Sequence, residues 1–210
     1  MGIRERKERE KQIRRQQIRE AAKELFVLKG FKSTTMEEIA NKAELSAATI
    51  YQYFADKEHL TASVALEGIK PLLKQITKIC EKHGLSVQDK LLGLKDSMYK
   101  AYESDPLFFR NVIQAQLMND FGSINRDLLN ETSSVFRKLL GSFADVYETG
   151  VRQGVFSDGH RMAYADIIFG TFIGIMILEV AKNKVNPQKN FFRSTLDRAF
   201  EIIIEGVKKT

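Results

Sequence analysis

The residues whose types and spacing could do chemistry lie close together, between Thr34 and Lys57. Two segments there suit short helices, Met36–Ala43 and Ala47–Phe54, with only a tight turn between them. Ile39 and Ala40 point inward from the first, and Ala40 is small enough for the second to pack closely. Leu45 plugs the turn, while Ile50 and Phe54, four apart, anchor the second segment to a core. This leaves Ala48, Thr49, Tyr51 and Gln52 turned outward. Ala47 and Ala48 are small enough for close approach to a groove. Thr49 and Gln52 can hydrogen-bond base edges, glutamine binding adenine through both its amide atoms. Tyr51 and Tyr53 can donate to phosphates, and Lys57 adds a cation. Thr35 and Ser46 stand at helix starts, where free backbone N–H groups favour phosphate. The chemistry is that of recognition, and the layout is helix-turn-helix.

The elements that position this motif are also legible. Ile18, Ala21, Ala22, Leu25 and Phe26 form one buried face of a first helix that runs out of the basic N-terminal segment and stops at Lys29-Gly30. Thr35, with Glu38 three residues on, fits a capping box for the second helix. Ser46 caps the third and Asp56 the fourth. The fourth runs from Lys57 to about Lys82, with Pro71 as a site for a kink. A fifth starts after Ser86, and a sixth opens at Asp105-Pro106 and carries Leu107, Phe108, Val112, Ile113 and Leu117. A seventh spans Ile124 to Gln153, an eighth His160 to Lys184, and Pro187 opens a ninth ending near Lys208. No alternating run flanked by tight-turn dipeptides suggests a strand. The expected fold is all-α, about nine helices, with residues 1–56 as a head and 57–210 as a larger body.

Charge agrees with the motif. The net charge is +6, and residues 1–29 hold ten Lys or Arg against five Glu, a surplus of five at one end. A basic end attracts a polyanion, and nucleic acid is the commonest; the alternative is a solvated, salt-bridged helix end. Cys80 is the single cysteine, which excludes an intrachain disulfide. Cys80 and His83 are too few to bind a metal, with His59 and His160 remote in sequence. No glycine-rich phosphate loop and no Ser, His and acid constellation stands at recognisable spacing, so neither enzyme nor cofactor is expected. The longest apolar run, Ile167 to Leu178, is shorter than the roughly 20 residues of a membrane span. It reads as a buried helix of a cytoplasmic protein, and the charged start of the chain does not read as a signal peptide.

The stretch from Ile18 to Lys57, with its Thr35-Met36-Glu37-Glu38-Ile39-Ala40, Thr49-Ile50-Tyr51, Tyr53-Phe54 and Lys57, resembles the DNA-binding head of the TetR family of bacterial repressors. The resemblance covers about a fifth of the chain. It implies phosphate and base contacts from Thr35, Ser46, Thr49, Tyr51, Gln52, Tyr53 and Lys57. It also implies an all-helical homodimer on a near-palindromic operator and a small-molecule pocket in the body. The sequence departs from the family pattern at Glu44, where glycine is usual, and at Ala48, where glycine or proline is common. A non-glycine residue in a left-handed turn costs roughly 1 kcal/mol.

The body is rich in flexible and aromatic side chains. Met98, Tyr102, Phe109, Ile113, Phe136, Phe143, Phe172 and Met176 are the candidates to line a cavity for an apolar or amphipathic effector. Gly170 and Gly174 permit close helix approach, within the core or across a dimer of the eighth and ninth helices. The expected function is a DNA-binding regulator, a repressor released by such a ligand. The rival is a helical ligand-binding enzyme or scaffold with a repurposed head, which requires a catalytic constellation in the body.

Overall fold

The computed structural model describes residues 2–109, 126–186 and 190–209. Most of the expected sixth helix, with Ile113, lies outside the described residues, as do Ile124 and Pro187. The described chain is all-α, as expected: α1 (Ile3–Lys29), α2 (Met36–Lys42), α3 (Ala47–Tyr53), α4 (Lys57–Glu81), α5 (Val87–Ser104), α6 (Arg126–Arg152), α7 (Arg161–Val185) and α8 (Phe192–Val207). Helical backbone also occupies residues 106–109. Among the described residues the sole β pairing is one isolated bridge, Phe156 to Lys208.

Side chains set the helix starts. The Glu38 N–H donates to Thr35 Oγ1 at 3.2 Å, and the Thr35 N–H donates to Glu38 Oε2 at 2.8 Å, a reciprocal box closing α2. The Thr49 N–H donates to Ser46 Oγ at 3.1 Å, and the His59 N–H to Asp56 Oδ1 at 2.6 Å. Ser86 caps α5, Asp105 accepts from the Phe108 N–H, and His160 Nδ1 accepts from the Ala163 N–H at the start of α7. The last helix begins at Phe192, where its opening N–H groups are met by side chains: Phe191 donates to Glu179 Oε1 and Phe192 to Asn190 Oδ1.

Packing divides the chain into two compact units. The first comprises Met1–Lys70 and Asp105–Ser133. Its core gathers Ile18, Ala22 and Phe26 of α1, Ile39 and Ala40 of α2, Ile50 and Phe54 at α3, and Leu60 and Val64 of α4. Phe108 joins this core. Gly68 admits it: a Cβ added there would stand 2.0 Å from the Phe108 ring, so any larger residue must displace that ring. Lys23 bonds to Asp105 at 2.7 Å and lies 5.2 Å from the Phe108 ring centre, holding the same segment from the α1 side.

The second unit comprises Pro71–Ser104 and Ser134–Thr210. In it α8 packs on α7 and α5. Phe192 is the hub, stacked on Tyr102 at 4.4 Å between ring centres and met edge-on by Phe172 at 5.6 Å. Buried Lys95 pairs with Asp197, and Arg193 bridges Asp197 at 3.1 Å and Asp96 at 2.7 Å. This network gives the buried ammonium the partner its desolvation requires. Helix α7 corrects the expectation of a buried helix. Its Arg161–Asn183 stretch is long and apolar enough to cross a membrane by composition. Only one side is packed: Tyr164, Ile168, Phe172 and Met176 are buried, while Ile167 is 55% and Leu178 59% exposed.

Candidate nucleic-acid interface

Helices α2 and α3 are held by polar side chains of α1 as well as by the apolar core. Gln17 Nε2 donates to the Ala43 carbonyl at 2.7 Å, at the end of α2. Arg15 donates to the Tyr53 carbonyl at 3.0 Å and lies 4.6 Å from the Phe54 ring centre, at the end of α3. Burial, and then the charge of Arg19, lower the Arg15 pKa. Between the two helices Glu44 sits at φ 55°, the left-handed turn that its replacement of glycine implied. The Leu45 N–H closes the turn on the Ala40 carbonyl at 2.9 Å. Neither Arg15 nor Gln17 was singled out from sequence. Arg15 leaves a trace, for it stands three residues before Ile18, in line with the buried face.

With Ile50 and Phe54 fully buried, α3 turns its other side to solvent. Ala48, Tyr51 and Gln52 are exposed, together with Ser46 and Thr35 at the two N-caps. Tyr51, at 49%, is a large exposed aromatic on a seven-residue helix. Ala47, Thr49, Tyr53 and Lys57 are half-buried. The hydroxyls of Thr49 and Ser46 lie 2.8 Å apart, so each is oriented by the other. Tyr53 packs partly against the core. Lys57 is engaged inside the fold: its Nζ donates to the carbonyls of Thr34 at 3.0 Å and Phe31 at 3.2 Å, and lies 4.5 Å from the Phe31 ring centre. It fastens α4 to the loop before α2. Glu38 is held below the ordinary carboxylate range, first by a hydrogen bond from Lys29 and then by the Thr35 N–H.

The motif therefore presents a rigid helix with an exposed amide, a phenol and small residues, backed by a core and a capped neighbour. That is the geometry of major-groove recognition. Residues 18–64 match the family described as bacterial regulatory proteins, tetR family. YvkB of Bacillus subtilis strain 168, an uncharacterized HTH-type transcriptional regulator, is 27% identical over 164 residues, covering 74% of this chain and 79% of its own. The head is that of the tetR family, and the chain is a DNA-binding transcriptional regulator.

The likeness of this regulator to solved structures extends over nearly its whole length. The fatty acid degradation regulator FadR from Bacillus halodurans matches with a TM-score of 0.72 at 21% identity, over 90% of this chain and 94% of that one. FadR from Bacillus subtilis, solved in complex with stearoyl-CoA, matches with a TM-score of 0.71 at 22% identity, over 91% of this chain and 98% of that one. At such identities the likeness is one of fold.

The residues expected around an effector are placed in different surroundings. Met98, Tyr102, Phe143, Phe172 and Met176 are buried in the second unit, and Phe136 meets Phe169 edge-on at 6.1 Å. Phe109 packs in the first unit, beside the core of the head, and Ile113 is outside the described residues. A residue missed from sequence is Tyr164, stacked on Tyr147 at 4.3 Å. Its buried hydroxyl has no hydrogen-bond partner among the described residues, and burial raises its pKa. An apolar recess also opens in the first unit, lined by Phe26, Phe31, Val64 and Phe108.

Proposed function

We propose that the regulator is a homodimeric repressor whose two heads, residues 1–56, each read one half of a near-palindromic operator. In this reading an amphipathic ligand bearing a long apolar chain binds the body, residues 57–210, and releases the DNA. The observation that carries it is the outward face of α3. Gln52 and Tyr51 stand exposed beside Ala48, while Ile50 and Phe54 are fully buried behind them. Gln52 supplies base recognition, Tyr51 and Tyr53 with the caps Thr35 and Ser46 supply phosphate contacts, and Lys57 holds the loop before α2 in place.

Dimerisation is supported by the unpacked side of α7 and α8. Ile167, Ile177 and Leu178 are exposed there, as is Ile202. Gly170, Gly174 and Gly206 share the region, and a Cβ added at any of them meets nothing within 4 Å. Glycine within a helix costs about 1 kcal/mol relative to alanine. Nothing among the described residues requires these three, whereas a second copy approaching closely would. A two-fold dimer presents two equivalent recognition helices, hence the palindrome.

The nature of the effector is supported by the aromatic second unit, with the buried Tyr164 hydroxyl that has no partner among the described residues, and by FadR of Bacillus subtilis having been solved with stearoyl-CoA. A ligand releases DNA only by binding better to the form whose heads do not fit the operator. The test is a genomic footprint followed by operator binding under a stearoyl-CoA titration. The expected result is a two-fold site whose occupancy falls as the acyl-CoA rises. A non-symmetric site overturns the dimeric reading, and occupancy indifferent to acyl-CoA overturns the effector class.

A further inference from the structure

Helix α1 is 27 residues long, yet its first fully buried side chain is Ile18. Residues 2–13 are all exposed, so the helix continues past the head with nothing packed against it. At about 1.5 Å per residue the free part is some 16 Å long.

A line of basic residues runs along it, with Glu8 beside that line. Arg4, Lys7, Lys11 and Arg15 follow one another at three- and four-residue spacing, and the same stripe continues into the buried Ile18 and Ala22. The acids are committed elsewhere. Glu5 accepts from the Gly2 N–H at 3.0 Å, Glu8 from Gln12 at 2.9 Å, and Glu10 pairs with Arg6 at 3.3 Å. Arg4, Lys7 and Lys11 have neither a hydrogen-bond nor an ion-pair partner among the described residues. The stripe is anchored at its inner end, where Arg15 bonds to the Tyr53 carbonyl at the close of the recognition helix. Lys11, Lys7 and Arg4 therefore follow outward from that point by roughly 6, 12 and 16 Å along α1. A solvated helix of this length is marginal alone, and cations in its first turns oppose the helix dipole. An anion along the stripe offsets both costs.

We infer that Arg4, Lys7 and Lys11 form a rail for the phosphates of duplex DNA beside those facing α3, adding affinity that is indifferent to sequence. The inference rests on the DNA-binding reading above. Its partner follows from the charge of the stripe and its continuity with the recognition helix.

The test compares two doubly substituted full-length proteins of equal charge, Lys7→Gln with Lys11→Gln on the stripe and Arg6→Gln with Arg9→Gln off it. Each is titrated with the footprinted operator and with a random duplex from about 50 to 200 mM salt, the range in which phosphate neutralisation dominates affinity. The stripe pair is expected to weaken both duplexes by the same factor. Its salt slope should become shallower by about 0.9 for each phosphate that is no longer neutralised. The off-stripe pair should match the parent, and Lys7→Arg with Lys11→Arg should restore the parent's slope. Circular dichroism checks that the variants are equally helical. Equal slopes in both Gln pairs, whether changed or unchanged, overturn the rail. A parent that prefers the operator while the stripe pair binds identically removes the rail alone; a parent with no preference for the operator removes the DNA-binding reading beneath it.

Discussion

The Lys57 ammonium sits between two carbonyls and a ring, whereas the Gln52 amide faces solvent. Their substitutions should therefore separate. Gln52→Ala is expected to lower operator affinity by about 1–3 kcal/mol with relaxed preference at one base pair, and to leave the melting temperature unchanged. Lys57→Ala strips the Phe31 and Thr34 carbonyls of their donor and should lower the melting temperature as well as affinity. Thermal melts beside binding isotherms check both, and equal melting of the two variants would refute the clamp. His59 provides a second measurement. Its Nδ1 accepts the Ala55 N–H at 3.3 Å and its ring meets Phe54 edge-on. Burial, then the charge of Arg15, lower its pKa below 6.5, with Asp56 opposing. The unfolded chain thus binds the proton more readily than the folded one. The contribution of His59 is fully present above pH 6.5 and is lost as pH falls through the lowered folded value. Melting temperature measured downward from neutral pH should drop more steeply in the parent than in His59→Gln. Parallel curves would show that the imidazole is not the group concerned.

At the scale of elements, the segment around Phe108 is joined to the head core by a close approach that only glycine at position 68 permits. Gly68→Ala should destabilise by roughly 1–3 kcal/mol, the usual cost of overpacking. Combined with Phe108→Ala it should cost less than the two single changes summed, because the clash disappears with the ring. Denaturant unfolding of the three variants measures the coupling, and strict additivity would refute it. This junction marks where the sequence stops being legible. The caps at Thr35, Ser46, Asp56, Ser86 and Asp105 were readable because each is a local pattern of a few residues. The buried face of α1 and the inward Ile39, Ile50 and Phe54 were readable from periodicity. That Phe108 would pack with the head, and that Lys57 would spend its charge on backbone carbonyls, depend on residues far apart in sequence meeting in the fold. The outward set on α3 was legible because the anchors Ile50 and Phe54 fix which side is left over. The half-exposure of α7 was not, since an apolar run reads alike whether its second side is covered by its own chain or by another.

At the scale of the whole molecule, Gly174 gives a clean discriminator. A Cβ there meets nothing within 4 Å among the described residues, so each protomer should fold with unchanged helix content. If the stripe of α7 meets a second copy, Gly174→Leu should sediment as a monomer at concentrations where the parent is a dimer, and operator affinity should fall with it. A variant that stays dimeric would place the interface on another face. The open glycines bear as well on what happens in a cell that makes several regulators of this fold. All share a head of one pattern, and any mixed pair would carry two mismatched recognition helices to no operator at all. If the dimer forms there, a floor of glycines flanked by isoleucines would admit a partner whose protrusions fall at the matching steps and reject one bearing side chains where this chain has none. In a dimer built on this face, the three open positions would act as a proofreading surface, selecting a second copy of the chain before any DNA is read.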